Sequence, residues 1–272
     1  MSASGMPCNA GEFQFEPALR VAVMLGSLLF AGIGPAAAAA CSFAPQGEGR
    51  VAGIVDARSF RLQDGREVRL AGIEPVGTER PAANRRAALA ALVLQNDVIL
   101  RGEDDTPDRY GRQPAFAFLD GSDRPVQILL LAAGEALLSG TVTDPDCAAA
   151  LAAAEAAARQ ARRGVWGDPT VIKNTERPGD ILTRIGRFTV VEGRVLSVRQ
   201  AGATTYLNFG WNWTRDFAVT IPKRGLAVFE AAGITLKSLE GRTIRVRGWV
   251  EAHGGPRIEA IRVGQIELLG RN

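Results

Sequence analysis

From residue 51 onward, apolar and polar residues alternate in short runs. Residues 51–56 (V-A-G-I-V-D) and 58–63 (R-S-F-R-L-Q) read as strands, and Asp64-Gly65 between the second run and the next is a hairpin turn signal. Residues 66–72 pair back as a third strand. The period then changes. Pro81 opens an Ala- and Leu-rich stretch, 82–94, patterned as a helix with Arg85 and Arg86 on one side. Strand patterns return at 98–101 and 113–119, on either side of the acidic loop 103–108. Residues 126–133 are apolar almost throughout, as a buried helix is. Asp144 and Pro145 begin a long alanine-rich helix that runs to about Arg163, and Trp166 is expected to plug the core beyond it.

A polar stretch with Pro169 and Pro178 reads as a linker, and a second series follows. Strands are expected at 188–198, 204–209 and 216–221, a short helix at 223–232, and strands at 243–251 and 257–263. Three strands, a helix and two strands is the order of a five-stranded OB barrel. The expected class is therefore α+β dominated by β structure, with tandem five-stranded OB-fold barrels, the first carrying three helices. The expected divisions are 41–168, a linker at 169–182 and 183–272.

The N-terminus changes the picture of location. An apolar run at 21–33, Pro35 and an alanine run ending Ala38-Ala39-Ala40 resemble a signal peptide cleaved before Cys41. Residues 1–40 would then be removed and the protein would be periplasmic or secreted. The other reading is an uncleaved anchor, since about twenty apolar residues can span a bilayer. Cys8 would leave with the signal. The remaining Cys41 and Cys147 can pair in an oxidising compartment, or stand as two unrelated thiols.

Composition adds little until it is divided. The 272-residue chain is 46% apolar with a net charge of +3, but residues 171–272 hold 16 basic and 9 acidic side chains, whereas 41–170 hold 15 and 18. Only the last hundred residues favour a polyanionic partner on charge.

Three pieces carry a resemblance: V-A-G-I-V-D-A-R-S-F-R-L (51–62), V-R-L-A-G-I-E-P (68–75) and D-R-Y-G-R (108–112). In order and spacing they are similar to the staphylococcal-nuclease (thermonuclease) family, whose members read V-x-D-G-D-T-F, V-R-L-x-G-I-D-A-P-E and D-x-Y-G-R there. The resemblance spans roughly 48–168 and implies a nuclease barrel with a calcium ion held by carboxylates, a glutamate positioning the water and two arginines clamping phosphate. Arg69 and Arg112 match the two arginines, whose planar donor forks suit phosphate oxygens. Tyr110 would wall the pocket.

The acidic half departs from the family. Asp56 is kept, but Arg58 stands where the family has its second aspartate, with Phe60 fixing the register. Glu74 replaces the other calcium-binding aspartate, and Gly77 stands at the water-positioning glutamate. The expectation is an anion pocket of Arg58, Arg69 and Arg112 whose calcium site is lost, so that no cofactor is needed. The rival is a metal site rebuilt from Asp56, Glu74 and Glu79, giving an active metal-dependent phosphodiesterase. A third reading is an envelope structural or interaction protein without an anion ligand.

In the second series, 206–217 holds five aromatics. Phe209 and Phe217 read as core, whereas Trp211 and Trp213 are candidates to stack on bases of single-stranded nucleic acid. Strict alternation would instead put Leu207, Phe209, Trp211 and Trp213 together on a buried face. The single histidine, His253, lies in a glycine-rich turn, and no P-loop or zinc spacing occurs.

Overall fold

The computed structural model describes residues 41–76 and 82–270. The expected signal segment, Gly77 and Glu79 lie outside the described residues.

In the first module the strands are β1 (Ala44–Ile54), β2 (Ser59–Leu62), β3 (Glu67–Leu70), β4 (Ile73–Pro75), β5 (Asp97–Gly102), β6 (Gln113–Leu119) and β7 (Ala136–Leu138). Its helices are α1 (Ala82–Val93), α2 (Val126–Ala133) and α3 (Pro145–Gln160). Five strands close a barrel in the order β1-β2-β3-β6-β5, and β4 pairs with β7 outside it. Alternation explains the interior. In β5, Val98, Leu100 and Gly102 are buried while their neighbours are not. Phe60, Val68, Leu70 and Phe116 meet them inside, and Val126, Ile128, Leu130 and Leu131 of α2 belong to the same cluster. Gly134 ends α2 at φ 72°, and a Cβ there would lie 2.2 Å from the carbonyl oxygen of Arg163. The Asp144 side chain caps α3 by accepting from the Cys147 amide at 2.7 Å. Cys147 is bonded to Cys41, fixing the first described residue to that helix.

The second module comprises β8 (Ile172–Asn174), α4 (Pro178–Leu182), β9 (Phe188–Arg194), β10 (Ser197–Ala201), β11 (Thr204–Asn208), β12 (Ala218–Pro222), α5 (Lys223–Ala231), β13 (Thr243–His253), β14 (Gly255–Glu259) and β15 (Ile266–Leu268). Its sheet runs β10-β11-β12-β14-β13-β9-β8, with β15 also on β13. These eight strands form one sheet, whereas a second closed five-stranded barrel was expected. The stretch read as a linker holds β8, which pairs parallel with β9, and α4. The stretch expected as one strand at 188–198 is divided. In the first barrel β1 passes unbroken from β5 to β2. Here the equivalent passage divides β9 from β10, as the Val195 amide bonds Arg242 and the next, Leu196, bonds Asn208.

The described residues form one compact unit. The two modules meet through a buried charged layer. Arg247 of β13 donates to Glu155 of α3 at 2.8 Å and to the Leu138 carbonyl at 3.1 Å. Glu155 also accepts from the Leu138 amide at 2.7 Å. Arg245 holds Glu192 and Glu267 at 2.6 and 2.8 Å.

Candidate functional site

The barrel assembles the three motif pieces. Asp56 closes an Asx turn by accepting from the Arg58 amide at 2.8 Å, which sets Arg58 at the mouth of β2. Ser59 of β2 is paired with Arg69 of β3, and β3 runs parallel to β6, with Arg69 opposite Pro114. The 108–112 loop, which leads into β6, is thereby brought beside Arg69. Glu74 comes from β4.

These residues form a mixed-charge cluster, and the expected all-arginine pocket is not what the geometry gives. The Arg58 guanidinium lies against Oε1 of Glu74, with the two side chains only 11% and 9% exposed. Arg58 also donates to the Ile73 carbonyl at 3.0 Å. Arg69 bridges the two carboxylates, standing 3.7 Å from Glu74 and 3.5 Å from Asp108. Arg112 donates to Oδ2 of Asp108 through Nε at 2.9 Å and a terminal nitrogen at 2.7 Å. The other Asp108 oxygen accepts from the amides of Tyr110 and Arg112 at 2.9 and 3.1 Å, in a turn that Gly111 completes at φ 76°. One carboxylate thus shapes the D-R-Y-G-R loop and aims its arginine.

The electrostatics follow from burial and pairing. Burial pushes the Glu74 carboxyl above its ordinary value, against the opposing charge of Arg58. Burial likewise lowers Arg58, with Glu74 working against it. The hydrogen bond from Arg112 holds Asp108 well below the usual carboxylate range, and the same bond raises Arg112. Oε2 of Glu74 and the hydroxyl of Ser59 are both buried without a hydrogen-bond partner.

Tyr110 is 66% exposed, with the Arg109 and Arg112 guanidinium carbons 4.8 and 5.0 Å from its ring centre. Trp211 and Trp213 are 80% and 78% exposed, on the loop between β11 and β12. Asp216 holds that loop by accepting from the Asn212 amide at 2.8 Å, and its side chain fills the space a Cβ on Gly210 would take. Phe209 and Phe217 sit at the base of the loop, buried against each other with ring centres 5.2 Å apart. Among the described residues, no three histidine, cysteine, aspartate or glutamate side chains cluster as metal ligands would.

Sequence reasoning missed Asp108 as a site residue. Its signal was present, an aspartate opening a glycine-containing turn and spaced four residues from the arginine it pairs with.

The cluster can hold a phosphate group on Arg69 and Arg112, provided the anion competes with Asp108 and Glu74 for them. Residues 67–168 match the family model described as staphylococcal nuclease homologue. No curated protein matches the chain. Taken with the closed five-stranded barrel and the Arg69–Arg112 pair, the match means that this chain carries a staphylococcal-nuclease-like domain.

Proposed function

We propose that this protein is an exported nucleic-acid-binding protein, with a related phosphate-bearing anion as the alternative ligand. Calcium-dependent phosphodiester hydrolysis is weak or lost. Arg69 and Arg112 hold the phosphate, Tyr110 lies beside it, and Trp211 and Trp213 stack on unpaired bases. The second sheet is read as an OB-type barrel whose first strand is divided at Val195 and Leu196.

The observation that carries the loss of hydrolysis is the guanidinium of Arg58 against Glu74. Calcium takes six or more oxygens. Here the carboxylate that would bind it is neutralised by a cation, and Arg58 also takes the adjacent Ile73 carbonyl. Exchanging a family aspartate for arginine changes the local charge by two units. Each unit contact at ~4 Å is worth roughly 4 kcal/mol at an effective dielectric near 20. Asp56 is engaged with the Arg58 amide, so these residues do not fit the ion. Gly77 at the water-positioning place would separately cost about 10²–10⁴ in rate.

One observation favours the rival reading, an active enzyme using Glu74 and Glu79. Oε2 of Glu74 is buried and makes no hydrogen bond, which leaves one oxygen for a metal. Digestion of plasmid and single-stranded DNA, with calcium and with a chelator, separates the two. The proposal expects no calcium-dependent cleavage. It also expects salt-dependent binding that Arg69→Ala or Arg112→Ala weakens. Cleavage abolished by the chelator and by Glu74→Ala would establish the rival.

A further inference from the structure

The face of the β4–β7 ribbon that carries Glu74 continues past the arginine cluster towards the second module. Side chains two apart along a strand, or directly opposed across an antiparallel pair, project to the same side. Leu137 is opposed to Glu74, and Val76 follows two residues after it. Val76 and Leu137 pack with Phe188 and Val190 of β9. The same two side chains wall a cavity of about 350 Å³, into which the second module brings Lys173, Arg184, Thr183 and Thr189.

Lys173 of β8 is half-buried and, among the described residues, makes no ion pair. The two threonine hydroxyls donate to the carbonyls of Asp180 and Arg187, at 2.8 and 3.2 Å, so the donor left for an anion is the Lys173 ammonium. Asp168 also lines the cavity, and its carboxylate accepts from the amide and hydroxyl of Thr170, both at 2.8 Å. The lining thus carries two cations, Lys173 and Arg184, and one carboxylate, Asp168. A half-buried cation is screened less than one on the open surface.

We propose that this cavity is a second phosphate subsite, through which the second module holds the nucleic-acid strand gripped by Arg69 and Arg112. The inference rests on the phosphate role given to those arginines under Proposed function. A strand carries phosphates at regular intervals and can fill the cluster and the cavity together. A small free anion fills only one of them.

The test is a titration of the protein with a fluorescein-labelled single-stranded oligonucleotide at several salt concentrations, with a parallel titration using pyrophosphate. Lys173→Ala should weaken oligonucleotide binding several-fold at low salt. It should also reduce the slope of log K against log salt by about 0.7, the contribution of one phosphate contact on a single strand. Lys173→Arg should keep both values, and pyrophosphate affinity should be unchanged by either substitution. Arg69→Ala is the companion variant. If it weakens binding while Lys173→Ala does not, the second subsite is wrong and the arginine cluster stands. If neither matters, the reading of the cluster falls and takes the subsite with it. Equal losses for pyrophosphate and oligonucleotide in Lys173→Ala would make the cavity an independent anion site and overturn the shared strand.

Discussion

Arg58 and Glu74 form a buried ion pair at the mouth of the closed barrel, with Arg69 bridging from Glu74 to Asp108. The pair holds a cation against the carboxylate that the family resemblance assigns to the metal. Arg58→Asp should therefore reverse the behaviour of the site. Without calcium this variant should melt below the parent, because Asp56, Glu74 and the new carboxylate repel one another. Added calcium should raise its Tm and leave the parent's unchanged, as thermal unfolding with and without the ion would record.

Asp108 shapes the loop that aims Arg112. Asp108→Asn keeps the size of the side chain and removes its charge, so the charge-assisted bonds at 2.7 and 2.9 Å weaken. Two effects then oppose each other. Arg112 becomes easier for an anion to recruit, and the loop that positions it loosens. Because the cluster gains a positive charge, oligonucleotide affinity at low salt should rise several-fold and its salt dependence should steepen. A filter-binding series over salt concentration measures both.

The modules should not come apart without loss of stability. Glu155 and Arg247 are both almost wholly buried, so Arg247→Met leaves the Glu155 carboxylate at the seam with Arg159, 3.4 Å away, as its remaining cation. The expected cost is at most about 3–5 kcal/mol, the value for a buried charge left wholly unpaired. Glu155→Gln combined with Arg247→Met should recover part of it, giving a measurable coupling in a denaturant double-mutant cycle.

Acid should weaken the fold through two depressed carboxylates. The Arg112 hydrogen bond lowers Asp108. At Glu267 burial acts to raise the value but is outweighed by the hydrogen bond and charge of Arg245. A carboxylate whose folded value lies below its unfolded one contributes stability above the unfolded value, and loses it as pH falls towards the folded one. The ordinary values are 3.8 and 4.5. Denaturant midpoints should therefore decline as pH drops below that range, and Glu267→Gln should flatten the decline.

Reduction should be costly as well. The Cys41–Cys147 bond closes a loop with a sequence separation of 106. On the chain-entropy model, a loop of that order is worth about 4–5 kcal/mol. Cys147→Ser should lower the unfolding free energy by a comparable amount, read from urea curves.

Much of the first barrel was legible because its interior is apolar and its strands alternate. β2, β3, β5 and β6 fell close to where the pattern put them. β1 began earlier than expected, because Gln46, Glu48 and Arg50 alternate with glycines and give no apolar stripe, although Glu48 and Arg50 pair with β5. The three-residue strands β4, β7, β8 and β15 are too short for any period to register. In the second module, F-T-V-V-E-G-R-V-L-S-V (188–198) reads as one strand. The division at Val195 and Leu196 comes from the change of pairing partner, which is a tertiary event. Arg245 and Arg247 alternate with the apolar Ile244, Val246 and Gly248 along β13, a pattern that ordinarily leaves the arginines on a solvated face. They are buried because α3 brings Glu155 to Arg247, while Glu192 of β9 and Glu267 of β15 flank Arg245, which no local pattern encodes. The arginines of the cluster were legible from their motifs, whereas their pairing with Glu74 and Asp108 depends on how the loops fold.

Calorimetric titration of calcium into the purified protein tests the central claim most directly. The ion pair between Arg58 and Glu74 predicts no saturable heat at millimolar calcium. A tight complex with one calcium per chain would contradict it and identify a working metal site.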